Sequence, residues 1–194
     1  MKLTEAIFAR RAVRSYQALA VDERAIERLL DAAVQAPSAM NSQPWGFAIV
    51  QDRARLRRYS DLAKALLLES TVSDPKVSHY SQLLGDADFN VFYDASTLIV
   101  ICATVGGRYA EADCWLAAQN LMLEACELGL GSCPIGFAIP ALNTDAVKRE
   151  LAIPANGVAV APIVVGYATA EVPAAPRLAP RVLSWDVRVN ADEA

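Results

Sequence analysis

Histidine is almost missing from this 194-residue chain: His79 is the only one, and it stands alone in a polar region. The four cysteines, Cys102, Cys114, Cys126 and Cys133, include no C-x-x-C pair, so no zinc site is expected. With no histidine beside a nucleophile, chemistry built on a catalytic triad is not expected either. No G-x-G-x-x-G follows a strand pattern, which argues against a separate nicotinamide-binding domain. Internal repeats are absent. There is no excess of positive charge: 18 basic against 22 acidic residues give a net charge of −4. That balance argues against a general nucleic-acid or anionic-membrane surface while leaving room for a local cationic pocket.

The amino terminus, MKLTEAIFARRAVRS, has neither an uninterrupted apolar stretch nor a small-residue cleavage pattern, so a cytoplasmic protein is expected. Twenty uncharged residues lie between Glu150 and Glu171, but Pro154, Asn156, Gly157, Pro162 and Gly166 interrupt them. A buried strand fits that run better than a membrane span.

What the chain does have is apolar content, at 54%, enough to bury a substantial core as a single domain over residues 1–194. From Asp22 to Gln35 the apolar residues Ile26, Leu29, Leu30, Ala33 and Val34 recur at helical spacing, with Asp22 placed as N-cap. A second helix is expected over Arg53 to Leu68, and a loop or lid over Ser73 to Asp88. Phe47 to Val50 reads as a short strand, and Thr97 to Cys102 as a central strand covered on both faces. Tyr109 to Leu128 reads as the longest helix, so apolar that it should be buried on more than one side. Gly129 and Gly131 are expected to supply left-handed backbone after it, leading into SCPIGF, where main chain can approach a ligand. A shorter helix near Thr144 to Leu151 precedes a last strand over Gly157 to Tyr167, in which Pro162 predicts an edge position or a bulge. Cys102, Cys114 and Cys126 read as buried reduced thiols. Beyond Glu171 the chain is proline-rich yet carries Leu178, Val182, Leu183 and Trp185, which points to a tail docked on something, such as a second subunit.

Two segments carry functional signal. APSAMNSQPWGF, Ala36 to Phe47, sets small and amide-bearing residues between a helix and a strand, the usual location of ligand-holding loops. Upstream, Arg10, Arg11 and Arg14 follow a short helical segment and suit an anionic group such as a phosphate. A phosphate joined to a polar planar ring would satisfy both.

Five stretches in order, ARRAVRSY, APSAMNSQPWGF, FYDASTLIVICA, GLGSCPIGF and PRLAPRVLSW, resemble the FMN-dependent nitroreductase family over nearly the whole chain. The resemblance implies an α+β fold, a sheet flanked by helices in an intertwined homodimer. About residues 170–194 would form a C-terminal extension docking on the partner subunit. It implies that Arg10, Arg11 and Arg14 hold the FMN phosphate, ribityl chain and polar ring edge. Pro37, Ser38, Ala39, Asn41 and Gln43 would come from the neighbouring subunit, with Trp45 in the same motif. Pro134, Ile135 and Gly136 would lie at the reactive ring, and Arg177 would add to the phosphate site. Ala12 stands where many relatives carry a serine, removing one hydroxyl donor, and Asn90 would contact the flavin edge.

The same resemblance implies that bound flavin does the chemistry without a catalytic side chain: NADH or NADPH reduces it, then a small acceptor such as a nitroaromatic or quinone oxidises it, in ping-pong order. The partners expected are a second copy and a small-molecule acceptor, with no nucleic acid and no membrane. The alternative is an FMN-binding carrier or regulatory module that NAD(P)H does not turn over.

Overall fold

The computed structural model describes residues 1–70 and 80–185. His79 and the first part of the expected Ser73 to Asp88 loop lie outside the described residues. The elements are α1 (Leu3–Ala9), α2 (Glu23–Ala33), β1 (Trp45–Val50), α3 (Arg53–Ser70), α4 (Ser81–Gly85), β2 (Thr97–Ala103), α5 (Ala110–Glu127), β3 (Gly131–Pro134), α6 (Ile139–Leu142), α7 (Asp145–Glu150) and β4 (Val158–Gly166).

All seven residues of β2 are buried, because its two faces are covered by different helices. Leu98, Val100 and Cys102 pack with Leu56, Tyr59 and Ala63 of α3 and with Leu142 and Val147 of α6 and α7. Ile99, Ile101 and Ala103 pack with Leu29 and Ala33 of α2 and with Cys114, Ala118 and Leu121 of α5. This alternation is what a strand does between two apolar layers. The four strands run in the order β1-β2-β4-β3, every neighbouring pair antiparallel. The architecture is therefore α+β, a sheet with helices on both sides.

Helix α2 starts as expected: the Asp22 carboxylate accepts from Ala25 N at 2.9 Å. Thr144 caps α7 through Val147 N. Strand β1 begins at Trp45, two residues earlier than expected, and takes in Gly46, where a Cβ would meet Thr104 Cγ2 at 2.6 Å.

Two expectations are corrected. Pro162 is not on an edge strand, since β4 lies between β2 and β3; its carbonyl accepts from Ile135 N at 2.8 Å. The amide it lacks would point to that same side, toward Ile135 O, which accepts from Ala138 N at 3.1 Å instead. The bulge is two residues away, where Ile101 and Cys102 pair with Ala161 and Ala159 and leave Val160 over. Within SCPIGF, Ser132 to Pro134 continue from Gly131 as strand β3, paired with Ile163 to Gly166. Secondly, of the two glycines only Gly129 is left-handed, at φ 71°. Gly131 serves by its lack of a side chain, because a Cβ there would sit 2.7 Å from Val13 Cγ2. Within a single chain α5 leaves Trp115 and Leu116 41% and 46% exposed. The tail is likewise undocked in a single chain, with Leu178 99% and Trp185 78% exposed.

No helix of the described residues is long and apolar enough to cross a membrane.

Candidate functional site

The arginine segment is positioned by the sheet. Helix α1 ends at Arg10, whose amide donates to Ala6 O at 2.9 Å. The chain then runs extended beside β3, one of the sheet's two outer strands, with Ala12 bridged in parallel to Ser132 and Tyr16 bridged antiparallel to Ala168. Val13 N donates to Ser132 O at 3.0 Å and Gln17 N to Tyr167 O at 2.8 Å. Val13 and Tyr16 are buried beneath the segment, and the Tyr16 hydroxyl donates to Val13 O at 2.8 Å. Burial pushes the Tyr16 phenol far up, so it stays a neutral donor. With its buried side chains anchored, the segment presents its arginines at fixed positions.

Two clefts result. Arg10 and Arg11 line one of about 340 Å³ with Gly131, Ser132, Ala168 and Glu171. Arg14 lines the other, of about 180 Å³, with Tyr93, Pro134, Ile135, Gly136 and Phe137. The Arg11 guanidinium donates to Phe8 O at 2.6 Å and to Arg10 O at 3.0 Å, satisfying the end of α1. Its Nε is buried and has no partner among the described residues. Arg14 is exposed, with Cζ 5.9 Å from the Tyr93 ring centroid, a cation–π contact.

Of the segment Pro134 to Gly136, Ile135 N is committed to Pro162 O. Gly136 is exposed and opens a 3-10 turn, where the first amides have no partner within the turn, and a Cβ there would meet nothing within 4 Å. Ile135 N is thus already used within the fold, and Gly136 is the exposed main-chain position on the cleft lining.

The loop over 37–43 lies elsewhere in the same chain. Ala39 N donates to both carboxylate oxygens of the buried Asp113, at 3.2 and 3.3 Å. Ser38 Oγ accepts from Gln43 N at 3.0 Å, and Gln43 Nε2 donates to Asn41 Oδ1 at 3.1 Å. Met40, Asn41 and Gln43 adopt φ of 54°, 54° and 44°, a conformation that side-chain-bearing residues rarely take outside functional or strained loops. Pro37, Ser38 and Ala39 line a surface depression of about 350 Å³ with Tyr109, Asp113 and Leu116. None of the loop residues lines either arginine cleft. Trp45 enters β1 and packs against the α2 and α5 layer instead.

Asn90 is buried and organises its own turn: Oδ1 accepts from Phe92 N at 2.9 Å and Nδ2 donates to Asp94 Oδ1 at 2.7 Å. Arg177 is exposed on the tail and lines neither cleft. Sequence reasoning missed Tyr93, whose φ of 55° turns it into the Arg14 cleft.

The sequence matches the Nitroreductase family over residues 7–167. A protein of Methanothermobacter thermautotrophicus, whose name puts it among NADH dehydrogenases/NAD(P)H nitroreductases, is 30% identical over 171 residues, 86% of this chain and 78% of that one. A 5,6-dimethylbenzimidazole synthase of Rhodospirillum rubrum is 31% identical over 182 residues, 84% and 81% of the two chains. The solved structure of a nitroreductase with bound FMN from Bacteroides fragilis has the same fold, with a TM-score of 0.79, 24% identity, and 96% and 98% of the two chains covered. The chain belongs to the nitroreductase family and is an oxidoreductase.

Proposed function

We propose that this oxidoreductase uses FMN, takes two electrons from NADH or NADPH, and passes them to a small acceptor such as a nitroaromatic or quinone in ping-pong order. The observation that carries the reading is the meeting of Arg14 with the open Gly136 main chain in one cleft at the sheet edge. A cationic fork beside a main-chain donor suits a polar ring that becomes anionic on reduction. The buried Arg11 Nε is a donor in want of an acceptor, which fits an anionic group arriving at the neighbouring cleft. FMN-bound relatives of this fold add support.

In this reading Arg10 and Arg11 hold the phosphate, Arg177 adds to it, and Arg14 donates to the ring's polar edge. Gly136 donates a main-chain hydrogen bond near the reactive atom, and Ala12 contributes backbone only. Bound FMN supplies the hydride and two-electron chemistry. The chain's own residues orient the ring and stabilise charge.

Pro37 to Gln43 would complete the site from a second copy. That assignment is supported by the loop lining neither arginine cleft within one chain, and by the apolar surface on α5 and the tail. Asn90 would act on the flavin edge only through the turn it builds.

The test is direct. The purified protein should be yellow, bleach on addition of NADH or NADPH, and recover colour with a quinone. Sedimentation should show a dimer that weakens when residues after Ala175 are removed. Replacing Arg10 with Ala should cost about 1.5–3 kcal/mol of FMN affinity, the range for a hydrogen bond to a charged group. Equal FMN affinity in the Arg10→Ala, Arg14→Ala double variant would put the phosphate elsewhere. A flavin that binds but is not bleached would favour the carrier reading.

A further inference from the structure

Lys64, on α3, is only 7% exposed, an unusual position for a lysine. Its ammonium is satisfied mainly by main-chain carbonyls of one segment: Phe89 O at 2.9 Å, Asp86 O at 3.1 Å and Ala87 O at 3.5 Å. The Asp61 carboxylate, 56% exposed, lies 3.5 Å away. Two neighbours on the same helix grip the same segment. Arg57 Nη2 donates to Ala87 O at 2.7 Å, and Ser60 Oγ accepts from Val91 N at 3.0 Å. Residues 57, 60 and 64 fall on one face of a helix, so α3 presents a polar stripe that holds Asp86 to Val91 by its backbone.

Directly after that segment the chain makes the turn that delivers Tyr93. Tyr93 N donates to Asn90 O at 2.8 Å, and Tyr93 and Asp94 both adopt left-handed backbone, at φ 55° and 54°. The Tyr93 ring meets Phe89 edge-on at 6.0 Å and lies 5.9 Å from Arg14 Cζ. It lines the Arg14 cleft together with Phe137 and Gly136.

We propose that Lys64 is a positioning residue that, through Asp86 to Val91, fixes Tyr93 as a wall of the Arg14 cleft and so makes Tyr93 a determinant of which flat aromatic acceptor enters. The proposal rests on the oxidoreductase reading of that cleft. A buried ammonium is costly to desolvate unless well paired, and here nearly all of its pairing is with the loop that carries Tyr93. The cost is met by order in that loop. The left-handed turn is the kind of backbone that persists only where its surroundings over-determine it.

The experiment compares wild type with Lys64→Met, Lys64→Arg, Tyr93→Ala and the Lys64→Met, Tyr93→Ala double variant. Hydrogen exchange is read on the FMN-free protein, over residues 86–95 and over α3. Steady-state kinetics are then measured on FMN-loaded protein with p-benzoquinone as acceptor. Lys64→Met should speed exchange across 86–95 by about tenfold or more while α3 keeps its protection. It should also raise the quinone KM by about fivefold, more than it raises the KM for NAD(P)H. Lys64→Arg should restore part of both. The double variant should have the KM of Tyr93→Ala alone, because the lysine acts through the ring.

A merely structural lysine would lower the melting temperature and leave the KM unchanged, which overturns the proposal, as does unaltered exchange over 86–95. Should Lys64→Met not fold, Arg57→Ala, at a half-exposed side chain, is read in the same way with a smaller expected shift. A wild-type protein that takes up no FMN would overturn the proposed function instead, and the exchange measurement then decides the clamp alone.

Discussion

The Val13 amide donates to the Ser132 carbonyl at 3.0 Å, and the Val13 side chain fills the place where a Cβ on Gly131 would stand. The arginine segment is thereby bridged to the sheet rather than a free loop beside it. Contact at 2.7 to 2.9 Å with three Val13 atoms leaves no room for a methyl group. Gly131→Ala should destabilise the fold by about 1–3 kcal/mol, the usual cost of overpacking, as measured by urea unfolding. Adding Val13→Ala should recover part of that loss. An unchanged midpoint in Gly131→Ala would mean that the segment yields easily and does not hold its arginines in place.

Glu150, at the end of α7, ties that helix to α3: Arg58 donates to both its carboxylate oxygens, at 2.9 and 2.6 Å, and the Tyr59 hydroxyl donates at 2.8 Å. The hydrogen bond from Arg58, then that from Tyr59, holds the carboxyl down at about 2 from an ordinary 4.5. A depressed folded pKa stabilises fully above the unfolded value, and the benefit is lost as pH falls through the range from about 4.5 to about 2. Urea midpoints across that range should therefore drop less steeply in Glu150→Gln than in wild type. Parallel curves would remove this carboxylate from the acid response.

Asp113 is 4% exposed, and both of its carboxylate oxygens accept from the Ala39 amide. Asp113→Ala leaves that amide without its acceptor and should cost about 1–3 kcal/mol, with Asp113→Asn milder because an oxygen remains. Exchange at the Ala39 amide should rise in the alanine variant. FMN uptake should fall with it, since the same loop carries Pro37, Ser38 and Asn41. Normal uptake with a loosened loop would separate this loop from the cofactor.

Legibility in the sequence tracked the source of order. Helix α2 and strand β2 were readable because each writes its burial into its own periodicity, 3.6 in one and an unbroken apolar run in the other. Strand β3 was not, since Gly-Ser-Cys-Pro has no strand pattern; Val164, Val165 and the Ala12 segment make it a strand. Pro162 misled because a missing amide matters only on a side where a partner strand continues. At the site, the arginines were legible as charge density, and the loop after Ala36 as turn chemistry. Tyr93 and Lys64 were not, because what places them is a left-handed turn and carbonyls more than twenty residues away in sequence from the lysine. Nor does one-dimensional order reveal that Ala39 and Arg14 sit on separate surface regions of one chain.

Cys133 lines the Arg14 cleft and could be taken for a redox-active nucleophile. Its surroundings argue otherwise. It is 3% exposed, its Sγ contacts Pro134 O at 3.6 Å, and none of the four cysteines is paired. Burial pushes the thiol up, an effect that the charges of Arg14 and Arg10 oppose without reversing. A protonated, enclosed thiol is a poor nucleophile, and no second cysteine is joined to it to resolve a disulfide. Small size is then the main demand at this position. Cys133→Ala and Cys133→Ser should both keep most NAD(P)H-dependent quinone reduction and most FMN affinity, with the serine slightly less stable because its hydroxyl is buried. Loss of turnover in both variants, with FMN bound and the fold intact, would show that the sulfur takes part in the reaction and that flavin alone does not account for it.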